Sequence, residues 1–339
     1  MKRLLFVCGV MLLAVAGAQC DNAGGGNVLS ISASGIVKGL VYLDRNGNGV
    51  PDGPDTIMRN VRVRLIATGS LDTTVVVLSD SIGRFRVGTV PIGTYTATVD
   101  TTTIGDSVRV IQLTPAQVVV QPGDSVTITA TVSFPAVSVR AARQLPPGRR
   151  VFIVGVLLSP RVVFGDTTGH FADTSMAIRL TRMRSSPVGI GDSLRLLGTT
   201  GTRDGQPTFD DAAITSLGAG AAPLPRIVTT LVARAANGGA LDAALVFIGN
   251  VTIVDTATVD GTNAPPFVPP NRDYRLTVDS TPADTVGRME VLLDGHAGFS
   301  GSVLTQFRPD STISVTGVLV PAGAGRWRLK PRILSDVVP

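Results

Sequence analysis

The sequence predicts an all-β protein, and three observations carry that prediction. Val and Thr are abundant throughout the 339 residues; both branch at Cβ, which suits a pleated surface and crowds a helix. The chain holds 38 Gly and 22 Pro, spread along its length as many short turns require. No segment beyond residue 20 sustains a helical period. Hydrophobic residues at 44% against charged residues at 16% exclude an intrinsically disordered chain, which shows the opposite balance. The length suits about two to three domains.

The N-terminus predicts export. Lys2 and Arg3 precede the apolar run Leu4 to Val15, which has the length of a signal-peptide core and is short of the ~20 residues that span a bilayer. Ala16-Gly17-Ala18 supplies small residues for a peptidase. Of the two cysteines, Cys8 lies inside that core and Cys20 just after it. A lone thiol at a mature N-terminus is what lipid attachment needs. Gly17-Ala18-Gln19-Cys20 resembles a bacterial lipobox, with Gly17 in place of the usual Leu and Gln19 in place of a small residue; ordinary cleavage after Ala18 is the alternative. The expectation is a signal peptide over 1–19 and a lipid-anchored tether over 20–33. That makes a lipoprotein of the cell envelope, held at the outer membrane, the cell surface or the periplasmic face. The net charge is +5, and all basic residues but Lys2, Lys38 and Lys330 are Arg. So uniform an excess reads more simply as codon bias than as a polyanion-binding face.

The most specific chemistry follows the first strand, Gly35 to Leu43. In the twelve-residue loop from Asp44 to Asp55, oxygen side chains stand at positions one, three, five, nine and twelve: Asp44, Asn46, Asn48, Asp52 and Asp55. Gly49 falls at position six, where a calcium loop turns sharply, and Val50 at position seven offers its carbonyl. Calcium takes six to eight oxygens at flexible geometry, and this spacing wraps them around one point. Asp rather than Glu at position twelve, and amides at two positions, predict modest affinity. The competing reading is a polar Asn-Gly turn between strands.

Beyond the loop come the alternating strand Val61 to Ile66, the turn Asp80-Ser81-Ile82-Gly83-Arg84-Phe85 and the strand Pro91-Ile92-Gly93-Thr94-Tyr95. This order resembles the calcium-binding B-type repeats of bacterial surface adhesins, and prealbumin-like modules share its second half. The resemblance covers about Gly35 to Val99. It implies a seven-stranded β-sandwich, placed here over 34–136, that serves as a stalk and carries structural Ca2+ on Asp44, Asn46, Asn48, Asp52 and Asp55, to which the loop spacing adds the Val50 carbonyl.

An internal repeat occupies the remainder. Val151-Phe152-Ile153-Val154-Gly155-Val156 is echoed by Val246-Phe247-Ile248-Gly249-Asn250-Val251, and Gly191 to Thr199 by Asp310 to Val318. Gly205 to Phe209 is echoed by Gly325 to Leu329. The pattern is similar to the OB-fold domains found beside bacterial extracellular nucleases and in envelope lipoproteins. It implies two five-stranded OB-like barrels, over 137–225 and 226–339. Phe152 and Phe247 are expected in the barrel cores. Nucleic-acid binding by such barrels needs a basic groove with aromatic platforms. The candidates are Arg149, Arg150, Arg182, Arg184 and Trp327, with Phe164, Phe171 and Phe299 as further faces; a barrel-capping role is the alternative for Trp327.

His170 and His296 are the only histidines. Neither has the spacing of a zinc site, and both read as turn residues. No nucleophile elbow, phosphate-binding Gly loop or His-Glu-x-x-His is present. The expectation is a non-catalytic, adhesin-like envelope protein that binds or scaffolds an unidentified envelope protein or polymer. A nucleic-acid-binding accessory of an extracellular nuclease, and a carbohydrate or matrix binder, are the alternatives.

Overall fold

A computed structural model describes residues 33–69, 74–184, 186–221, 223–258, 265–266, 268–280 and 286–339. The expected signal peptide and Cys20, with all but the last residue of the expected tether, lie outside the described residues. The protein is all-β: a two-sheet sandwich followed by two OB-like barrels.

The sandwich is built from β1 (Ser34–Asp44), β2 (Thr56–Ile57), β3 (Arg62–Ala67), β4 (Thr74–Leu78), β5 (Arg84–Pro91), β6 (Gly93–Val99), β7 (Arg109–Thr114), β8 (Gln117–Val120) and β9 (Ser125–Ser133). One sheet runs β2-β1-β9-β7 with β5 also on β1, and the other runs β4-β3-β6-β8. There are nine strands where the resemblance implied seven. β1 is the organising strand: it pairs antiparallel with β2 and β5, and in parallel with β9 from Ile36↔Ser125 to Asp44↔Ser133. In β3 the alternation Arg-Val-Arg-Leu sends Val63 and Leu65 inward and leaves Arg64 and Ile66 exposed. Gly39 of β1 has to be glycine, because a Cβ there would collide with the Phe85 ring and the Ile128 carbonyl.

The first barrel comprises β10 (Arg150–Ser159), β11 (Gly169–Ala172), β12 (Ala177–Thr181), β13 (Asp192–Arg203) and β14 (Gln206–Ala219), closed in the order β10-β11-β12-β14-β13. The second repeats this connectivity with β16 (Leu245–Thr258), β17 (Tyr274–Asp279), β18 (Met289–Leu293), β19 (Thr312–Gly323) and β20 (Arg326–Lys330), closed by the β16–β19 pairing. Short strands β15 (Arg226–Ile227) and β21 (Val337–Val338) extend its sheet. Both barrels join their third and fifth strands in parallel, β12 with β14 and β18 with β20. A six-residue helix precedes each first strand, α1 (Val139–Gln144) and α2 (Thr230–Ala235), capped by the Ser138 and Thr229 hydroxyls. Helices this short leave no periodic signal, which is why the sequence pattern shows none.

The units are joined without a free linker. After β9 the chain runs directly to Pro135, whose carbonyl accepts the Phe152 N–H at 2.9 Å; the Val137 N–H donates to the Phe152 carbonyl at the same distance. Phe134, Phe152 and Leu197 form a separate apolar cluster with Leu43 and Val108 of the sandwich. Phe152 is therefore buried on the outside of its barrel, against the sandwich, and the expected core position is corrected. Phe247 is half-buried. Ile153, Val246 and Ile248 take the inward places. Removing the Phe152 ring should leave a cavity at this junction and cost about 3–5 kcal/mol. Phe152→Ala is expected to make the sandwich and the first barrel melt separately in calorimetry while leaving the barrel's own fold intact.

Candidate functional site

The loop between β1 and β2 is a closed polar turn. Asp44, fully buried, accepts the Gly47 N–H at 2.6 Å on one carboxylate oxygen and the Gly49 N–H at 2.8 Å on the other. Both glycines have positive φ. Asp55 accepts the backbone N–H of Arg45 at 2.9 Å and of Asp52 at 3.1 Å. The side-chain amides of Asn46 and Asn48 converge on Oδ2 of Asp52 at 2.9 and 2.7 Å, and Asn48 Oδ1 accepts the Val50 N–H at 2.8 Å. Asn46, Asn48 and Asp52 thus meet at one point, while Asp44 and Asp55 hold the backbone around it. Each carboxylate oxygen of Asp44 and Asp55 accepts one hydrogen bond and keeps a second lone pair, so there holding the backbone and binding a cation are compatible, whereas Oδ2 of Asp52 already accepts from both amides. The donor set is the hard-oxygen set that calcium takes. Among the described residues no three His, Cys, Asp or Glu side chains cluster as a metal site; the convergence here is of two amides and one carboxylate.

The loop also touches the first barrel. Arg195, on β13, donates from one guanidinium nitrogen to the carbonyls of Asn46 at 3.3 Å and Gly47 at 2.5 Å. Arg150 stacks over Phe134 at 5.0 Å, and burial, then the nearby Arg45 charge, lowers its pKa.

The candidate nucleic-acid residues do not form one surface. Arg149 immediately precedes β10, and Arg150 opens it over the Phe134 ring at the junction with the sandwich. Arg182 is paired with Asp211 at 2.8 Å and with Asp210 at 3.5 Å. Arg184 is exposed beyond β12. Trp327 belongs to the second barrel and is 6% exposed within its core. Phe164, Phe171 and Phe299 are all buried, which corrects their expected role as faces. Among the described residues every aromatic side chain is buried except Phe247, which is half-buried.

What the sequence did not single out is a cleft of about 290 Å³ on the second barrel, bounded by Arg234, Arg275, Arg288 and Arg326, with Trp327 and a single carboxylate, Glu290. These arginines come from α2, β17, the residue before β18 and β20, so no sequence run could display them together. Glu290 lies 3.8 Å from Arg275 and 3.0 Å from Arg328.

His170 is not a turn residue. It lies on β11, 1% exposed, with Nδ1 at 2.7 Å from the buried Ser159 hydroxyl. Burial, then the charges of Lys330, Arg179 and Arg332, push its pKa down to about 3. His296 is half-exposed and lies 3.2 Å from Asp294.

No protein-family model matches the chain, and no curated protein matches it. Solved structures with some likeness include the HINa domain of Ifi202 in complex with 20-bp double-stranded DNA, at 12% identity over 46% of this chain and 94% of that one, TM-score 0.22. The replication protein A heterotrimer bound to single-stranded DNA matches at 10% identity over 83% and 92%, TM-score 0.21. BcpA, the major pilin subunit of Bacillus cereus, matches at 9% identity over 90% and 94%, TM-score 0.21. At such TM-scores these likenesses carry no argument about what this chain does.

A buried neutral histidine makes stability depend on pH. The folded pKa of about 3 lies below the ordinary value near 6.5. Its contribution is therefore complete above pH 6.5 and is lost as pH falls towards the folded value. Chemical denaturation is expected to show falling stability between pH 6.5 and the carboxylate range, and His170→Gln, which cannot protonate, should flatten that slope.

Proposed function

We propose that the protein is a non-catalytic, membrane-anchored binding or scaffold protein of the cell envelope. In this reading a calcium-stabilised β-sandwich next to the lipid tether holds two OB-like barrels for an envelope protein or polymer. The observation that carries it is the continuous bonding from sandwich to barrel, with Pro135 and Val137 tied to Phe152 and Arg195 on the backbone of the Asp44–Asp55 loop. A chain bonded in this way transmits position from an anchor to a distal surface, as a stalk must. The Lys2-to-Val15 run and Cys20 support the anchor. Asn46, Asn48 and Asp52, with the Asp44 and Asp55 carboxylates and the Val50 carbonyl, would hold the Ca2+, whose charge would offset the clustered oxygens of the loop.

The second reading, a nucleic-acid-binding accessory, is supported by the four arginines around Glu290, a surplus of positive charge suited to phosphates. It lacks exposed aromatic platforms among the described residues, so such binding would rest on charge and not on base stacking. The same burial of aromatic rings disfavours the carbohydrate or matrix reading.

Two outcomes are expected. In fractionated cells the full chain should partition with membranes, and Cys20→Ser should release it to the soluble fraction; a wild-type chain that is already soluble would remove the anchor. Millimolar calcium should raise the melting temperature, and Asp52→Ala should abolish that rise. An unchanged wild-type melt would leave the loop a simple turn. If the barrels also bind short single-stranded DNA tightly, with affinity falling steeply as salt rises, the nucleic-acid reading takes the place of the scaffold.

A further inference from the structure

The two barrels face each other across a second cleft, distinct from the arginine-bounded one. Its position follows from strand alternation. On β11 and β12, Phe171, Ile178 and Leu180 point into the first barrel's core. His170 and Arg179, which are cross-strand partners, therefore point out of that barrel. On β20, Trp327 and Leu329 enter the core that contains the second barrel, so Arg328 and Lys330 point outward. These two outward faces, with Arg203, Asp166 and Phe164, line a space of about 210 Å³.

The polar groups around this space are incompletely used. His170 Nε2, Arg179 Nε and Arg328 Nε are each buried without a hydrogen-bond partner. Arg179 spends its terminal nitrogens on Asp204 at 2.9 Å and on the Arg203 carbonyl at 2.8 Å. Arg328 is paired with Glu290 at 3.0 Å and Lys330 with Asp294 at 2.7 Å. Lys330 also lies over the Phe164 ring, 4.1 Å from its centroid. Arg203 is exposed and makes no ion pair among the described residues. Asp166 is turned to its own loop, accepting the Thr168 N–H at 2.8 Å and hydroxyl at 2.6 Å.

Carboxylates thus balance much of the positive charge, and what distinguishes the space is the unpartnered buried nitrogens on its lining residues. A buried donor without an acceptor costs roughly 1–3 kcal/mol, and three of them edging one cleft call for an acceptor with several oxygens. Drug-sized ligands occupy roughly 300–1,000 Å³, so the space suits a smaller group. The 2.7 Å contact between Ser159 Oγ and His170 Nδ1 fits either tautomer; when the hydroxyl donates to Nδ1, the neutral ring carries its proton on Nε2 and is a donor as well. We propose that the cleft between the barrels binds a single phosphate-sized oxyanion, held by Arg179, Arg328 and His170, with Lys330 and Arg203 supplying charge.

The chain has only two histidines, which makes imidazole NMR a clean reporter. Inorganic phosphate titrated into the full chain is expected to bind saturably by calorimetry, with the largest ring shift at His170 and a smaller one at His296. Arg328→Lys keeps the charge and the reach to Glu290 but removes the Nε–H, and should weaken binding by about tenfold, the worth of one charge-assisted hydrogen bond. Arg86→Lys, on the exposed face of β5, should leave it unchanged. Phenyl phosphate distinguishes the source: equal affinity marks a phosphate monoester terminus as ligand, and exclusion marks the free ion, either being consistent with the site. Absence of saturable binding, an unmoved His170, or equal affinity in Arg328→Lys and wild type would overturn the proposal and leave water as the acceptor.

Discussion

The structure of the C-terminal two-thirds depends on one apolar contact. Leu158, Phe164, Ala172 and Ala177 of the first barrel lie in the same buried cluster as the core of the second. Small residues at 172 and 177, directly paired across β11 and β12, let the second barrel approach that sheet closely. As a result every residue of β11 and β12 is buried: one face fills its own barrel and the other is covered by its neighbour. The polar contacts across the junction follow from that exclusion of water. Arg143 reaches Asp242 at 3.3 Å, both buried, and also donates to the carbonyls of Ala177 and Gly239. Arg332 grips Asp336 through two nitrogens and donates to the Leu158 carbonyl. Burial raises the Asp242 pKa against the pull of Arg143. Such pairs are costly to desolvate and costlier to break, so they enforce one relative placement more than they add stability.

A second junction orders the other end. The aromatic pair Phe134–Phe152, with ring centroids 6.4 Å apart and edge-to-face, sits where β9 leaves the sandwich. Arg195 reaches from the barrel to the backbone of the Asp44–Asp55 loop. The loop is therefore both the polar end of the sandwich and part of its contact with the next unit.

Much of the fold was legible because it rests on local rules. The alternation in Val61 to Ile66 marks β3, the Gly-Asn-Gly loop marks the end of β1, and the repeated Val-Phe-Ile segments mark the equivalent strands β10 and β16. Of the five oxygen-bearing residues spaced from Asp44 to Asp55, the structure brings Asn46, Asn48 and Asp52 together, while Asp44 and Asp55 bond the loop's backbone. Misreadings came where one face of a strand is covered by another unit. Gly169-His170-Phe171-Ala172 reads as a turn because a glycine and a histidine interrupt the apolar run, yet it is a buried strand. Phe152 reads as barrel core because it is large and repeated, yet its partner is the sandwich.

By itself the sequence determined the all-β class, the sandwich with its oxygen-rich loop, and the duplication that yields two barrels, since each depends on periods and spacings within a few residues of chain. Only the tertiary structure decided which outward faces meet. Arg179 and Arg328, or Arg234 and Arg326, are far apart in sequence and become neighbours through barrel closure and barrel-to-barrel packing. No local pattern encodes that juxtaposition, because the burial that makes those side chains chemically distinctive is supplied by residues from another part of the chain.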